Sequence, residues 1–316
     1  MERTATHYVE GVKSTTVRVP AKINLCLGVG PVRDDGFHPL ATVYQAVDVH
    51  DEVKATAVPD GTLSVTVHFD GDSRIEAAPV PEDDNNLAVR AARLLRDRTG
   101  VDDGAALAIR KVIPVAGGMA GGSADAAAAL VACNELWGTG LSRGELELVA
   151  AELGSDVPFL LHGGIAIGGG RGETISPVLA RGSYHWVFAI AAEGLSTAAV
   201  YAEFDRLNGD RDVPMPEVPA DLLAALRAGD AEALGDALSN DLTEAALSLR
   251  PELARTLDVG LDCDALGAIL SGSGPTAMFL ARDETHAMDI SVALASSLVC
   301  ADVAHARGPV QGARLI

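Results

Sequence analysis

A run of glycines that leads directly into an alanine-rich segment constrains this chain more than any other stretch. Residues 114–126 read Pro-Val-Ala-Gly-Gly-Met-Ala-Gly-Gly-Ser-Ala-Asp-Ala, and Ala124–Trp137 has the composition of a helix. Glycine carries no side chain, so the backbone of such a loop can approach another group closely. The first N–H groups of a helix lack partners within the helix and carry partial positive charge. The pattern predicts an anion site, most often for phosphate, with Ser123 as the helix N-cap.

The glycine loop differs from the two commonest nucleotide-binding loops. The usual phosphate loop requires a lysine directly after its glycines, and here no lysine follows them. No clean G-x-G-x-x-G is followed by a second strand that ends in an acidic residue, which disfavours a Rossmann dehydrogenase. Asp125 is expected to complement the helix dipole rather than to take part in catalysis. A glycine turn that merely packs against a helix remains the alternative.

Charge and composition limit the classes of partner. The 316 residues are enough for two domains, and 24 Lys and Arg against 44 Asp and Glu give a net charge of −20. Such a negative field argues against binding to nucleic acid, which depends on neutralising phosphates. The four cysteines lie far apart, and no apolar run approaches the roughly 20 residues of a membrane span. We therefore expect a cytoplasmic protein with reduced thiols and no membrane or nucleic-acid partner.

The order of predicted elements indicates an α+β chain. Apolar residues alternate with polar ones from Val17 to Leu27, which predicts a strand with Lys22 and Asn24 on the same side. Strand-like runs follow near 41–49, 52–58 and 62–69, before the first predicted helix at Asn86–Arg98. The second half mixes strands and helices again, and the cluster Gly168–Gly172 is expected to be a connection near a domain boundary. The early run of strands favours α+β layering over a doubly wound sheet.

Three motifs in the same order resemble those of the GHMP small-molecule kinases. The glycine loop resembles the family pattern P-x-x-x-G-L-G-[SG]-S-[SA]-A, with Met119 and Ala120 in variable places and Gly121-Gly122-Ser123-Ala124 as the core. Pro20-Ala21-Lys22-Ile23-Asn24-Leu25 is similar to the first family motif. Ser271-Gly272-Ser273-Gly274-Pro275 is similar to the third, although a plain hairpin turn is the alternative there. Three motifs spread over about 250 residues are more specific than any one of them.

The resemblance implies a two-domain fold and a nucleotide site. It implies an N-terminal ATP-binding domain at residues 1–168 with a half like ribosomal protein S5, and a ferredoxin-like substrate domain at 169–316. ATP with Mg²⁺ is the implied nucleotide, and Ser123 is the residue that could reach the metal; a monomer or weak homodimer is expected. The residues implied to hold the triphosphate are Pro114, Val115, Ala116, Gly117, Gly118, Met119, Ala120, Gly121, Gly122, Ser123 and Ala124.

Lys22, Asn24 and Asp156 are the candidate catalytic residues. A kinase that acts on an alcohol needs a group that accepts the hydroxyl proton, and a carboxylate within hydrogen-bond reach can do so. A nearby ammonium group favours the ionised carboxylate and the developing alkoxide. In the resemblance, Asp156 matches the catalytic aspartate and Lys22 the strand-borne lysine, while Asn24 could orient either the hydroxyl or the lysine. The alternatives are an N-cap role for Asp156, before Pro158, and a solvated strand face for Lys22.

Two further stretches indicate the substrate class within the family. R-x-D-G-[FY]-H-x-L at 33–40 and L-G-S-D-V-P-F at 153–159 resemble the members that phosphorylate a methylerythritol linked to cytidine diphosphate, in the non-mevalonate route to isoprenoids. The resemblance places Phe37 and His38 at the cytidine base, whereas the alternative makes His38 a turn residue that fixes its loop. Tyr201 is a candidate for a second aromatic face.

The remaining candidates at the substrate are backbone groups and one cation. Gly272, Ser273 and Gly274 are implied to lie beside the substrate, and Arg171 could face a phosphate, although its role stays open. Two rival readings also stay open. One is another kinase of the same family, such as homoserine or mevalonate kinase, and the other is a degenerate kinase that only binds a ligand.

Overall fold

The structure is a computed structural model that describes residues 8–9, 12–69, 80–115, 117–209 and 211–316. Its strands are β1 Tyr8–Val9, β2 Val12–Val29, β3 Leu40–Val58, β4 Leu63–Phe69, β5 Gly104–Lys111, β6 Ile165–Gly169, β7 Thr174–Pro177, β8 Tyr184–Ile190, β9 Ser239–Asn240, β10 Gly267–Leu270, β11 Ala277–Ala281, β12 Asp302–Gly308 and β13 Arg314–Leu315. Its helices are α1 Leu87–Thr99, α2 Gly121–Trp137, α3 Arg143–Leu153, α4 Val157–His162, α5 Thr197–Asn208, α6 Ala220–Ala228, α7 Ala231–Asp236, α8 Thr243–Leu249, α9 Glu252–Leu261 and α10 Glu284–Ser297. None of these helices is long and apolar enough to cross a membrane.

Two sheets organise the molecule. The larger has the order β1-β2-β3-β5-β4, with β13 and β9 paired to β2, β6 paired to β3, and β7 paired to β6. The smaller has the order β10-β11-β8-β12 with all neighbours antiparallel. In chain order the smaller sheet reads 2-3-1-4, with helices between its first and second and between its third and fourth strands. That is the ferredoxin-like arrangement expected for the C-terminal half.

Helix α2 forms the centre of the larger core. It packs against β2 and β3, and alanines make up most of its buried residues. A helix that is apolar on all sides belongs inside a protein. Small alanine side chains let this helix approach the sheet closely, which explains how a chain with only 4% aromatic residues still builds a large core.

Strand β2 carries two of the predicted catalytic residues at a local irregularity. The strand pairs with β3 along its length, and the register shifts by one residue between Asn24 and Cys26. An extra residue of this kind bends the strand and is often found next to an active site. Here the shift directly follows Lys22 and Asn24, whose side chains lie on the same face, as predicted.

Several sequence expectations are confirmed and others need correction. The first predicted helix is present as α1 with Asn86 as its N-cap, and Ser142 caps α3 with a complete capping box. The runs predicted at 41–49 and 52–58 are a single strand, β3, and helices α8 and α9 were not predicted. The glycine cluster at 168–172 forms the end of β6 and the turn to β7 inside the larger sheet, so the predicted division after residue 168 falls within a hairpin. The smaller sheet begins only at β8.

Candidate active site

A cleft of about 1270 Å³ lies between the glycine loop, the face of β2, helix α5 and the β10–β11 connection. Its lining includes most of the residues singled out in the sequence: Lys22, Asn24, Phe37, His38, Pro114, Gly117, Gly118, Ala120, Gly121, Gly122, Ser123, Asp156, Arg171, Tyr201, Gly272, Ser273 and Gly274. The fold therefore brings the three motifs together in one place, although they are far apart in sequence.

A chain of buried hydrogen bonds fixes the lysine on β2. Lys22 Nζ donates to Asn24 Oδ1 at 2.7 Å, and Asn24 Nδ2 donates to Thr42 Oγ1 at 2.7 Å. The Thr42 hydroxyl in turn donates to the Cys26 carbonyl at 2.7 Å. The Lys22 side chain is only 6% exposed, so the alternative of a solvated strand face is wrong. Asn24 holds the ammonium group in one position.

Asp156 faces this ammonium group. Its Oδ2 lies 3.7 Å from Lys22 Nζ, and the side chain is 28% exposed toward the cleft. Asp156 occupies the N-cap position of α4, but its side chain makes no capping hydrogen bond. Pro158 lies in the first turn and has no N–H group, so one of the backbone donors that a cap would satisfy does not exist. Helix α4 can therefore begin without that cap. The carboxylate is left free to face the cleft and Lys22.

Tyr44 completes the surroundings of Asp156 and was missed in the sequence. Burial, followed by the negative charge of the nearby Asp156, raises the pKa of the Tyr44 hydroxyl well above its ordinary value. The ring stacks on Phe159 with centroids 4.9 Å apart, and Lys22 Nζ lies 5.6 Å from its centre. Tyr44 is paired with Asn24 across β2 and β3. Knowledge of the β2–β3 register could have revealed Tyr44 as a neighbour of the site, but that register includes a bulge.

The glycine loop ends one turn earlier than its sequence suggested. Helix α2 begins at Gly121, its N-cap is Ala120 in the left-handed conformation at φ 60°, and no side chain caps it. Ser123 is therefore inside the first turn, and its prediction as N-cap is wrong. The close approach allowed by Gly118 is to protein, because a Cβ there would lie 2.0 Å from the Ser271 carbonyl oxygen. At Gly122 a Cβ would meet nothing within 4 Å, so this turn of backbone is open to the cleft.

A buried ion network supports the loop from below. Lys111 Nζ donates to Asp51 and to Asp125, the latter at 2.8 Å to Oδ2. The other oxygen of Asp51 accepts the backbone N–H groups of Val112 and Ile113, at 2.6 and 2.9 Å, immediately before the loop. Asp125 was predicted to complement the helix dipole from the first turn, but it is the fifth residue of α2 and is buried against Lys111 instead.

The three residues predicted at the nucleobase all line the cleft, and two of them, His38 and Tyr201, are in ring contact. The His38 ring is buried, with its centre 5.2 Å from that of Tyr201, and its Nδ1 lies 2.8 Å from the Gly30 carbonyl oxygen. This contact ties the loop that carries His38 to the end of β2, which is the loop-fixing role given above as the alternative for His38. Phe37 is 51% exposed, and the Arg171 guanidinium lies 4.8 Å from its ring centre. The burial of Tyr201, followed by the charge of Asp156, raises the pKa of its hydroxyl to about 12.

Not every residue of the implied triphosphate loop reaches the cleft. Met119 and Ala124 are buried in the core, and Val115 is half-buried outside the cleft lining. The backbone of Met119 links the glycine loop to β2, because its carbonyl oxygen accepts the backbone N–H of Lys22 at 3.3 Å. Ala116 lies outside the described residues.

Comparison with known proteins identifies the family. The model described as "GHMP kinases N terminal domain" matches residues 86–164, and the one described as "GHMP kinases C terminal" matches residues 222–300. The chain belongs to the GHMP kinase family. The first match contains the glycine loop and Asp156, and the second contains the β10–β11 connection, so both family domains contribute to the cleft.

This GHMP kinase has close relatives and structural neighbours. It is 55% identical over 302 residues to the 4-diphosphocytidyl-2-C-methyl-D-erythritol kinase of Salinispora arenicola, which covers 95% of this chain and 93% of the relative. A crystal structure of 4-(cytidine 5'-diphospho)-2C-methyl-D-erythritol kinase has 31% identity and a TM-score of 0.73, covering 92% of this chain and 98% of that one. Homoserine kinase from Cytophaga hutchinsonii has a TM-score of 0.72 at 19% identity, covering 99% and 100%, and shows the fold alone. The expected family and two-domain α+β fold are confirmed.

The cleft of this GHMP kinase offers few groups of its own to a metal ion. Among the residues the structure describes, no three His, Cys, Asp or Glu side chains are grouped as metal ligands. Ser123 lines the cleft and is half-buried in the first turn of α2. This donor set fits a Mg²⁺ ion held mainly by nucleotide phosphates and water, with one hydroxyl from the protein.

Proposed function

We propose that this ATP-dependent kinase transfers the γ-phosphoryl group of ATP to the 2-hydroxyl of 4-diphosphocytidyl-2-C-methyl-D-erythritol, in the non-mevalonate route to isoprenoid precursors. The relatives at 55% and 31% identity, both named as kinases of this compound, support the choice of substrate. The observation that carries the chemistry is the pair formed by Lys22 and Asp156, 3.7 Å apart at the floor of the cleft.

Asp156 is the proposed general base. As the substrate oxygen forms its bond to the γ-phosphorus, the hydroxyl proton passes to the Asp156 carboxylate and the bond from phosphorus to the ADP oxygen breaks. Lys22 lies beside both the carboxylate and the developing negative charge on oxygen, which it stabilises. Asn24 fixes the ammonium group through the 2.7 Å hydrogen bond to its Oδ1. The arrangement works by positioning and charge, as phosphoryl transfer requires.

The glycine loop is the proposed cradle of the triphosphate. The first N–H groups of α2 have no side-chain cap and face an open surface at Gly122. These donors and the helix dipole attract phosphate oxygens. Bound Mg²⁺ would neutralise part of the phosphate charge, and Ser123 is the residue that would hold it.

The aromatic end of the cleft is the proposed site of the cytosine. The exposed ring of Phe37 offers a stacking face, and the ring of Tyr201 packs against that of His38. We expect His38→Ala to raise the KM for the cytidylated substrate much more than the KM for ATP, because it releases the loop that holds Phe37.

The decisive test is transfer of labelled phosphate from ATP by Asp156→Asn. We expect kcat to fall by about 10³-fold or more, because the isosteric amide cannot accept the proton, while the Kd for ATP stays unchanged. Homoserine, mevalonate and uncytidylated methylerythritol phosphate serve as control acceptors for the wild-type enzyme. A variant that keeps most of its kcat would remove Asp156 as the base, and preferred turnover of a control acceptor would overturn the proposed substrate.

A further inference from the structure

Asn240 lies outside the cleft but links two of the parts that form it. It belongs to β9, which pairs in parallel with β2 at Cys26 and Leu27. The next residue, Asp241, donates its N–H to the Leu27 carbonyl at 2.9 Å and accepts the Val29 N–H at 2.8 Å. The segment is thereby fixed to the strand that carries Lys22 and Asn24.

The side-chain amide of Asn240 holds the β10–β11 connection. Its Nδ2 donates to the carbonyl oxygens of Leu270 and Gly272, at 2.8 and 2.7 Å. Its Oδ1 accepts the Leu242 N–H at 2.9 Å. Both amide hydrogens are used on two carbonyl groups that bracket Ser271, so the start of the connection is held at two points.

The connection held in this way touches both catalytic parts. A Cβ on Gly272 would lie 3.5 Å from Asn24 Oδ1 and 3.6 Å from Lys22 Nζ. The Ser271 hydroxyl donates to the Gly118 carbonyl of the glycine loop at 3.2 Å. A shift of the connection would therefore move backbone against the ammonium group and the glycine loop together.

We propose that Asn240 is a positioning residue for phosphoryl transfer, which sets the distance between the Ser271–Pro275 connection and the Lys22–Asn24 pair. The proposal rests on the proposed function, because it assigns Asn240 an effect through Lys22. A misplacement of about 1 Å at a catalytic group can cost about 10²-fold in rate. Since Asn240 does not line the cleft, its loss acts on the rate of the step rather than on contacts with substrate.

Two substitutions and a matched control test the proposal. Asn240→Ala removes the amide, and Asn240→Asp keeps its shape and the acceptor for Leu242 while placing an oxygen opposite two carbonyl groups. Asn134→Ala is the control, because Asn134 also holds a loop by its side-chain amide, donating to the Leu141 carbonyl at 3.1 Å and accepting the Leu141 N–H at 3.0 Å, at the opposite end of α2.

Steady-state kinetics of the full-length enzyme, well below the melting temperature of each variant, give the readout. We expect Asn240→Ala to lower kcat by about 10- to 100-fold, with the KM values for ATP and acceptor within about threefold of wild type, and Asn134→Ala to leave kcat unchanged. If Asn240→Asp fails to fold, the alanine variant alone decides. A kcat for Asn240→Ala within twofold of wild type would overturn the proposal. The assignment of Asp156 as the base is tested independently: it is overturned if Asp156→Asn stays active, whatever the Asn240 variants show.

Discussion

At the scale of single residues, the cleft depends on what surrounds the carboxylate of Asp156. Lys22 approaches it from β2, and Tyr44 approaches it from β3 with a buried hydroxyl. These two neighbours differ in kind, because one carries a positive charge and the other presents a neutral hydroxyl.

The contribution of the Tyr44 hydroxyl can be measured with Tyr44→Phe. A hydrogen bond to a charged group is worth about 1.5–3 kcal/mol, so we expect kcat to fall by about tenfold or more. Tyr184→Phe is the matched control, because its hydroxyl donates to the Arg181 carbonyl at 3.1 Å outside the cleft. Equal kcat values for the two variants would show that the Tyr44 hydroxyl does not act on Asp156.

At the scale of elements, the N-terminal end of α2 rests on a network with two carboxylates and one ammonium group. Burial raises the pKa of Asp125 to about 8, and the positive charge of Lys111 opposes that shift only in part. The buried Oδ1 of Asp125 has no hydrogen-bond partner, so no donor besides Lys111 offsets the cost of burying its negative charge. The neutral form leaves Lys111 and Asp51 as a balanced pair beneath the glycine loop.

This network predicts how stability changes with pH. The folded protein holds a proton on Asp125 up to about pH 8, whereas the unfolded chain releases it near the ordinary value of 3.8. The folded state thus binds more protons between these values, and the free energy of unfolding falls as pH rises through that window, by at most about 1.4 kcal/mol per pH unit. Denaturant titrations from pH 5 to 9 should show this slope in the wild type and a flatter one in Asp125→Asn. The exposed Asp103→Asn should keep the wild-type slope; a wild-type slope in Asp125→Asn would contradict the assignment.

At the scale of the whole molecule, a fully buried hydrogen bond between two side chains connects the two sheets. Trp186 on β8 donates its Nε1–H to Gln45 Oε1 on β3 at 2.6 Å, and both side chains are fully buried. The second polar atom of the Gln45 side chain, Nε2, has no partner. The Gln45 side chain therefore has no second hydrogen bond that could compensate for the loss of this one.

Loss of that donor should weaken the junction. We expect Trp186→Phe to lower the free energy of unfolding by about 1–3 kcal/mol for the unsatisfied amide, in addition to the loss from the smaller ring. Trp137→Phe is the control, because Trp137 is half-buried at the end of α2 and its Nε1–H donates to the Gly104 carbonyl at 3.2 Å, away from the smaller sheet. Circular dichroism during urea unfolding measures the free energy of unfolding of both variants. A smaller loss in Trp186→Phe than in Trp137→Phe would contradict a stabilising role for the Trp186–Gln45 hydrogen bond.

The sequence predicted local features well and contacts between distant segments poorly. The helix at 86–98 and the shared face of Lys22 and Asn24 follow from spacing over a few residues, and the structure confirms both. Tyr44 and Asn240 are placed by the β2–β3 register and by the two-residue strand β9, and neither leaves a periodic pattern in the sequence. The N-cap at Ser123 was misjudged because Ala120 takes a left-handed conformation that alanine rarely adopts.

Strand β13 bears on the order in which the molecule can be completed during synthesis. It adds Arg314 and Leu315 beside Arg18 and Val17 of β2, and the Ala313 N–H is bound by the Leu160 carbonyl. The larger sheet thus receives this strand only after every strand of the smaller sheet has been synthesised. The strand that carries Lys22 stays open at this position until residues 314–315 have left the ribosome, so β2 becomes fully paired only after the smaller sheet is available to fold.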